Sequence, residues 1–379
     1  MFYEKSYIFS ASKCRGNLVS TLIHGFVDIF IHFYEYIIAV TMIRLRWIPS
    51  SKRQLLEAER RVLAYVEKPC EVLDVEIGSL GDVQNCRIHS IKVASSGPTE
   101  NLPLVLVPGL GCGGVFFVSI LNALSERRDV YAIDLIGFGS SSRARLSSDA
   151  KTAEELMVEA VERWRRKMDF EQMLLLGHSL GGFISSAYAL RYPSRIKHLI
   201  LEDPWGFAEF DPEERSKLSL YERSFQRMLL HVNALAGLRA SGPIGQYLVR
   251  RTMNERHPYM RKYFPDAPDT MSDYFFHSNV RRPTGEEFLR KLCENFPFPK
   301  YPLIKRMREL SEEVGVTFIH ATGSFIPRTP SETLQRLRGE DNTKIRVIEG
   351  VGHTMHLEKP DEFSEIVLDV LSQIGENRQ

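Results

Sequence analysis

Residues 174–190 read LLLGHSLGGFISSAYAL: an apolar run that stops at a Gly-x-Ser-x-Gly and resumes with a helical pattern. A nucleophilic serine on a sharp strand-to-helix turn needs small neighbours, because the turn is crowded and its backbone strained. Gly177, Gly181 and Gly182 meet that need around Ser179, with strand-like MLLL before and helix-like FISSAYALRY after. The chemistry this predicts is acyl transfer, which also requires a base, an acid and an oxyanion hole. For the base the sequence offers GVGHTMH, between the β-rich IRVIE and a helix, in the chain order this motif demands. His353, in the glycine-rich turn, is the expected base, and His356 is its rival. The oxyanion hole is expected to pair the amide of Leu180, after the nucleophile, with that of Leu110 in VPGLGCGG. Gly109 and Gly111 let that loop approach a substrate carbonyl closely. Phosphate cradling by the same loop is disfavoured, since neither a Lys-Ser/Thr pair nor GxGxxG is present.

Elements must hold these groups in place. Short β-rich runs occur at EVLDVEI, RIHSIKV, PLVLV, DVYAI, MLLL, KHLILE, VTFIH and IRVIE. Helical stretches FFVSILNALSER, AEELMVEAVERWRRK and GGFISSAYALRY separate several of them. Strand and helix in alternation predict an α/β fold with a mostly parallel sheet covered on both faces. The alternation breaks once, between LILEDPWGF and VTFIH, where a long stretch of helical character is rich in aromatics and prolines. An insertion there lies above the carboxyl ends of the strands, where open α/β sheets bind ligands, and reads as a helical cap over residues 205–312. The core is expected over 51–204 and 313–379.

The chain has 379 residues and a formal net charge of +1, which gives no reason to expect a nucleic-acid partner. Its five cysteines are odd in number and widely spaced, without a CxxC, so neither a disulfide framework nor a zinc site is expected. No cofactor is called for. Residues 17–43, NLVSTLIHGFVDIFIHFYEYIIAVTMI, are apolar except for a stripe of His24, Asp28, His32 and Glu35 at helical spacing. A helix of that kind lies in a membrane interface, spans the bilayer, or packs on its own protein. Arg44, Arg46, Trp47, Lys52 and Arg53 follow, a mixture suited to an anionic surface or to a solvated linker. Residues 1–50 therefore read as a membrane-associating segment.

DLIGFGSSSR, GHSLGGFISSAYALRYPSRIKHLILEDPWGF, HSNVRRPTGEEFLRK and GVGHTMHLEKPDEF resemble one subgroup of the α/β-hydrolase-domain family. That subgroup holds an N-acyl-phosphatidylethanolamine lipase and a lipid-droplet co-activator of adipose triglyceride lipase, and WIPSSKRQLLEAE is similar to its N-terminal stretch. The resemblance implies an α/β-hydrolase fold with an eight-stranded sheet. The co-activator branch carries Asn at the nucleophile position, so Ser179 sides with the enzymes. Three departures follow from the resemblance. Pro108-Gly109 replaces His-Gly at the oxyanion loop. A His-x4-Asp element, sometimes linked to lysophosphatidic acid acyltransferase activity, becomes His353-x4-Glu358. Pro327, in HATGSFIPRTP, stands where the acid after the seventh strand belongs. Some α/β hydrolases take their acid from the end of the sixth strand, where this chain has Glu202 and Asp203. Asp203 is the expected replacement, and a loop-capping role is the alternative for it.

Cap residues Phe207, Phe210, Phe225, Met228, Tyr274, Phe275 and Phe276 are expected mostly to pack the cap, with some lining an acyl channel. Arg281 and Arg282 are placed to meet a lipid phosphate or to be solvated. The resulting expectation is a serine hydrolase of N-acyl or lyso glycerophospholipids on the cytoplasmic face of a membrane or lipid droplet. The alternatives are a non-enzymatic co-activator partnering a neutral lipase, and a lysophosphatidic acid acyltransferase.

Overall fold

The computed structural model describes residues 50–97, 102–145, 149–213, 235–295 and 297–376. All of these belong to the compact unit Ile48–Gln379. The segment expected to associate with membranes, residues 17–43, lies outside the described residues, as do Phe225 and Met228. Among the described residues no helix is long and apolar enough to cross a membrane.

Eight strands form one sheet: β1 (Cys70–Leu80), β2 (Val83–Val93), β3 (Leu104–Val107), β4 (Val130–Ile133), β5 (Met173–His178), β6 (Ile196–Glu202), β9 (Gly315–Ala321) and β10 (Thr343–Ile348). Their order is β1-β2-β4-β3-β5-β6-β9-β10. The β1–β2 hairpin and the β2–β4 pair are antiparallel, and every other neighbour is parallel. Each β-rich run read from the sequence coincides with one of these strands, overrunning its bounds by one residue at most. Period-two alternation shows why the central strands must be covered twice. Val105 and Val107 of β3 join one apolar cluster with Trp164, Tyr188 and Phe288, while Leu104 and Leu106 join another with Phe117, Leu55 and Phe363. Met173 and Leu175 of β5 divide from Leu174 and Leu176 in the same way.

The helices follow local rules. Lys52–Leu63 begins at Ser51, whose hydroxyl accepts from the amide of Gln54 while the Gln54 side chain reaches back to the Ser51 amide. Its buried face is Leu55, Ala58, Glu59 and Val62. Ala150–Lys167 is capped by Asp149 and ends on Arg165, Arg166 and Lys167, where cations favour the carboxyl-terminal end of the helix dipole. The four described cysteines are free.

Between β6 and β9 the cap supplies helices Gly245–Arg256, Thr270–Asn279 and Thr284–Leu292, with shorter ones at Ala236–Ala240, Met260–Tyr263 and Ile304–Met307. It also holds one small strand pair. Cys293–Asn295 (β7) pairs with Phe298–Pro299 (β8) as a small antiparallel ribbon, since Pro297 and Pro299 cannot continue the helix that ends at Leu292. DYFFHSNVRRPTGEEF likewise breaks into two helices at Val280–Pro283, the proline excluding a helical residue before it.

Cap and core meet at a close backbone approach. Gly137, at φ +91°, has no room for a side chain: an added Cβ would lie 2.6 Å from the amide nitrogen of Gly285. Gly285 in turn faces the ring of Phe138. Gly137→Ala is therefore expected to lower stability by about 2–4 kcal/mol through left-handed strain plus overpacking. Denaturant unfolding checks this, and a loss below about 0.5 kcal/mol contradicts the close approach.

Candidate active site

Ser179 sits between β5 and the helix Leu180–Arg191, at φ 53°, ψ −116°. Such a conformation costs on the order of 1–3 kcal/mol and persists only where neighbours fix it. Here the Ser179 amide donates to the Glu202 carbonyl at 3.0 Å, and its carbonyl accepts from the amides of Trp205 (3.0 Å) and Phe183 (3.2 Å). The flanking glycines are obligatory. A Cβ on Gly182 would lie 2.7 Å from Pro204 Cβ, and one on Gly181 would collide with the Val107 carbonyl.

The loop after β3 lies against this turn. An added Cβ on Gly109 would stand 3.1 Å from Ser179 Cβ and 3.0 Å from His178 Nδ1. The loop is held by the Cys112 amide on the Gly109 carbonyl (3.2 Å), by Asn279 Nδ2 on the Gly111 carbonyl (2.7 Å) and by the Gly114 amide on Asp134 Oδ1 (2.6 Å). Leu110 directly follows Gly109. Leu180 opens the helix, where the first amides have no partner inside the helix. Both expected oxyanion donors thus belong to the two segments that meet at Ser179. Gly111 adopts φ +73°, and Leu235 and Phe275 of the cap lie over it.

Parallel register aligns His178 of β5 with Glu202 of β6, and Glu202 with Ile319 of β9. Asp203, one step further at φ +37°, is fully buried. Its Oδ2 takes the Nδ1 hydrogen of His353 at 3.4 Å, and its Oδ1 faces His320 Nδ1 (3.1 Å) and the Ala321 amide (3.4 Å). Burial alone would raise the Asp203 carboxyl, but the hydrogen bonds from His320 and His353 outweigh it and take the group down to about 2. His353 is further fixed by His178 Nε2, which donates to its carbonyl at 2.9 Å, and by the rings of Phe325 (4.6 Å) and His178 (4.7 Å). The loop after β9, where Pro327 stands, brings Phe325 and the Ser324 hydroxyl (3.5 Å from His353 Nδ1) but no carboxylate.

His356, the rival base, points inward instead. Its Nδ1 and amide both engage Glu202, at 2.8 and 3.1 Å, and its Nε2 is buried with no hydrogen-bond partner among the described residues. Glu202 and Asp203 therefore serve different histidines, because adjacent residues at a strand end face opposite sides of the sheet. Glu358, last residue of the His-x4-Glu element, accepts from the Gly352 amide (2.8 Å) and the Thr354 hydroxyl (3.1 Å), so it braces the turn that carries His353.

Sequence reasoning missed a buried polar cluster under the oxyanion loop. His89 Nε2 meets Glu59 Oε1 at 2.9 Å and its Nδ1 meets Asp74 Oδ1 at 2.7 Å. Burial works against its charge, yet these carboxylates lift His89 to about 10. Asp134, pushed up to about 6 by burial, accepts from the amides of Gly114 and Ser140 at 2.6 Å each. Glu59, His89 and Asp134 lie close enough to hold a cation. His89 meets a carboxylate at each ring nitrogen, which ties Glu59 of the first helix to Asp74 of β1. The buried Glu59 in a helix otherwise amphipathic was the available signal.

Cap aromatics mostly pack, as expected. Phe207 lies against Phe318 (5.3 Å) and Phe210 against Phe298 (5.6 Å), and Tyr274 and Phe276 are buried.

A strained serine turn, a glycine loop beside it and a histidine–carboxylate pair at the strand ends define an α/β hydrolase. Residues 103–282 match the alpha/beta hydrolase fold family. The chain is 38% identical over 331 residues to abhydrolase domain-containing protein abhd-5.2 of Caenorhabditis elegans, covering 85% of this chain and 71% of that one. It is 35% identical to the human 1-acylglycerol-3-phosphate O-acyltransferase ABHD5 (86% and 91% covered) and 32% identical to the mouse (lyso)-N-acylphosphatidylethanolamine lipase (86% and 93% covered). A naproxen esterase from Bacillus subtilis superposes with a TM-score of 0.60 at 18% identity, covering 84% of this chain and 96% of its own, a likeness of fold. The chain belongs to the α/β-hydrolase-domain family, in the subgroup of these acyltransferase and lipase relatives.

Burial holds His178 neutral, down to about 4, with His353 and His356 adding to the effect and Glu202 opposing it. A histidine depressed in the folded state contributes full stability above its ordinary value of 6.5 and loses it as pH falls toward 4. The loss amounts to ~3 kcal/mol. His178→Gln is expected to lessen the slope of the stability–pH curve between pH 6.5 and 4, with buried His198, also held down to about 4, supplying part of what remains, read from denaturant midpoints. An unchanged slope places the titrating group elsewhere.

Proposed function

We propose that this chain is a lipid-directed serine hydrolase that cleaves acyl groups from N-acyl or lyso glycerophospholipids. Ser179 Oγ attacks the acyl carbonyl while His353 takes its proton, and Asp203 holds the His353 Nδ1–H and stabilises the imidazolium. The amides of Leu110 and Leu180 receive the developing oxyanion. His353 returns the proton to the departing lyso head, and water then releases the fatty acid by the same steps in reverse order. Gly109 and Gly111 keep the substrate carbonyl close to the loop, and the apolar Leu235 and Phe275 above Gly111 suit an acyl chain. The observation that carries the reading is the 3.4 Å approach of His353 to the buried carboxylate of Asp203, which supplies an acid although Pro327 occupies the usual place. The lipase relative by its name supports the substrate class. The apolar residues 17–43 suit a membrane or lipid-droplet surface.

A second reading, acyl-CoA-dependent transfer to lysophosphatidic acid, is favoured by the name of the acyltransferase relatives. It is opposed by Glu358, whose carboxylate is committed to bracing residues 352–354. A third, docking of a neutral lipase without catalysis, is opposed by the serine at the strained turn and by the approach of His353 to Asp203.

Purified chain is expected to react with a fluorophosphonate probe, and Ser179→Ala to abolish labelling. Asp203→Asn is expected to lower kcat/KM for a lysophospholipid by about 10³–10⁴-fold. Absent labelling, together with stimulation of a neutral lipase, replaces the hydrolase with a co-activator. Acyl transfer from acyl-CoA that Glu358→Ala abolishes replaces it with an acyltransferase.

A further inference from the structure

A cleft of about 420 Å³ opens where the β1–β2 hairpin, the loop after β4 and the cap meet, and Lys52, Arg87, Arg143, Arg281 and Arg282 line it together with Asp74. The cations divide into two kinds. Lys52 and Arg87 are exposed and loosely paired, with Asp74 at 3.9 Å and Glu76 at 3.6 Å, contacts of small energetic weight. Arg143, Arg281 and Arg282 have no carboxylate within ion-pair distance among the described residues.

Arg143 and Arg281 are the informative pair. Arg143 Nη2 donates to the carbonyls of Gly139 (2.8 Å) and Ser278 (3.0 Å), and its Nη1 to that of Gly137. Arg281 Nη1 donates to the same Gly139 carbonyl at 3.3 Å. One carbonyl thus bridges two guanidinium groups of like charge. Arg143 Nε is buried with no partner among the described residues. Asp134 and Glu286 act on Arg143 only from a distance, and Asp134 is occupied by amides while Glu286 is bound to Arg239. Burial and the neighbouring Arg281 together bring Arg143 down to about 9. Partly desolvated positive charge satisfied by carbonyls alone is costly, and an anion between the guanidinium groups relieves it.

We propose that this cleft binds a phosphate group, and that the phosphate is the one carried by the lipid whose acyl carbonyl reaches Ser179. The cap segment 278–282 makes the link. Ser278 takes Arg143, Asn279 holds the Gly111 carbonyl of the oxyanion loop, and Arg281 and Arg282 line the cleft. Asn279 and Arg282 stand three positions apart on one segment, so their Cα atoms lie within about 11 Å of each other. A glycerophospholipid carries its ester and its phosphate on one glycerol, and the same cap segment both touches the loop beside Ser179 and bears the cleft's arginines. Arg143 keeps the Nε hydrogen for an anion while its Nη groups hold carbonyls, and Arg281 reaches the same Gly139 carbonyl with Nη1 alone, so a phosphate here would be shared between two guanidinium groups. This inference rests on the lipid reading above for the identity of the ligand, but its test is one of binding.

The Ser179→Ala chain, which cannot turn substrate over, is titrated with dihexanoyl phosphatidate, with dihexanoylglycerol and with inorganic phosphate. The phosphatidate is expected to bind roughly ten- to a hundredfold more tightly than the phosphate-free diacylglycerol, and inorganic phosphate to compete with it. Adding Arg281→Gln and Arg282→Gln is expected to erase the difference, leaving diacylglycerol binding unchanged. Arg282→Gln alone, at an exposed position, gives a partial loss and guards against misfolding of the double variant. Equal affinity for the two lipids overturns the proposal. Inorganic phosphate that binds without any preference for the phosphatidate overturns its assignment to a lipid. Fluorophosphonate labelling of Ser179 is independent of all three titrations, so failure of the hydrolase reading and failure of the phosphate site are separately visible.

Discussion

Asp203 is fully buried and still ionised, and that combination constrains everything around it. An unpaired carboxylate in such a place would take up a proton, since desolvation penalises the charge heavily. Its two oxygens are met by His320, the Ala321 amide and His353, contributed by β9 and by the turn after β10. The charge on β6 therefore dictates what its neighbours in the sheet must bring. It also fixes one tautomer of His353, with hydrogen on Nδ1, and so leaves Nε2 free to accept. The bonds that make the buried carboxylate tolerable are also those that orient His353.

A second constraint runs from the far edge of the sheet. His89, Glu59 and Asp134 anchor the loops after β3 and β4 through the amides of Gly114 and Ser140. The loop after β4 then meets the cap through Arg143 on the Ser278 carbonyl, and Asn279 returns from the cap to the Gly111 carbonyl. The glycine loop after β3 is thus clamped from below by the core and from above by the cap. Gly137 and Gly285 set the spacing between the two, since neither tolerates a side chain at their contact. A cap that shifted would disturb the loop before it disturbed the Ser179 turn, which is held from below by β5 and β6.

Two histidines and two consecutive acids illustrate how neighbouring residues of one kind come to occupy different environments. His353 and His356 share one loop, and Glu202 and Asp203 share one strand end. The Glu202–His356 pair is buried beneath His178 and Phe117, with ring centroids 5.2 and 4.9 Å from His356. The Asp203–His353 pair stands at the rim, where the His353 side chain keeps 20% of its surface exposed. Burial decides which imidazole can meet a substrate.

The strands and the Ser179 turn were legible because they depend on local rules: period-two burial, glycines where a turn is crowded, and an apolar run halted by small residues. His353 was legible from its glycine-rich turn and from chain order. Asp203 could be named as the carboxylate for His353 once Pro327 had excluded the usual place, but a loop-capping role stayed open for it. Which of Glu202 and Asp203 faces His353 depends on the register of β5, β6 and β9, and register is a property of paired strands. The small β7–β8 ribbon escaped for a similar reason, since a two-residue strand has no periodicity to read. The bridged arginines of the cleft lie more than a hundred residues apart and become neighbours only when the cap closes on the loop after β4. The sequence by itself determined the alternating architecture, the nucleophile turn and the histidine. Tertiary structure alone decided which acid serves that histidine and where the uncompensated positive charge collects, because both follow from long-range pairing of groups that no local pattern encodes.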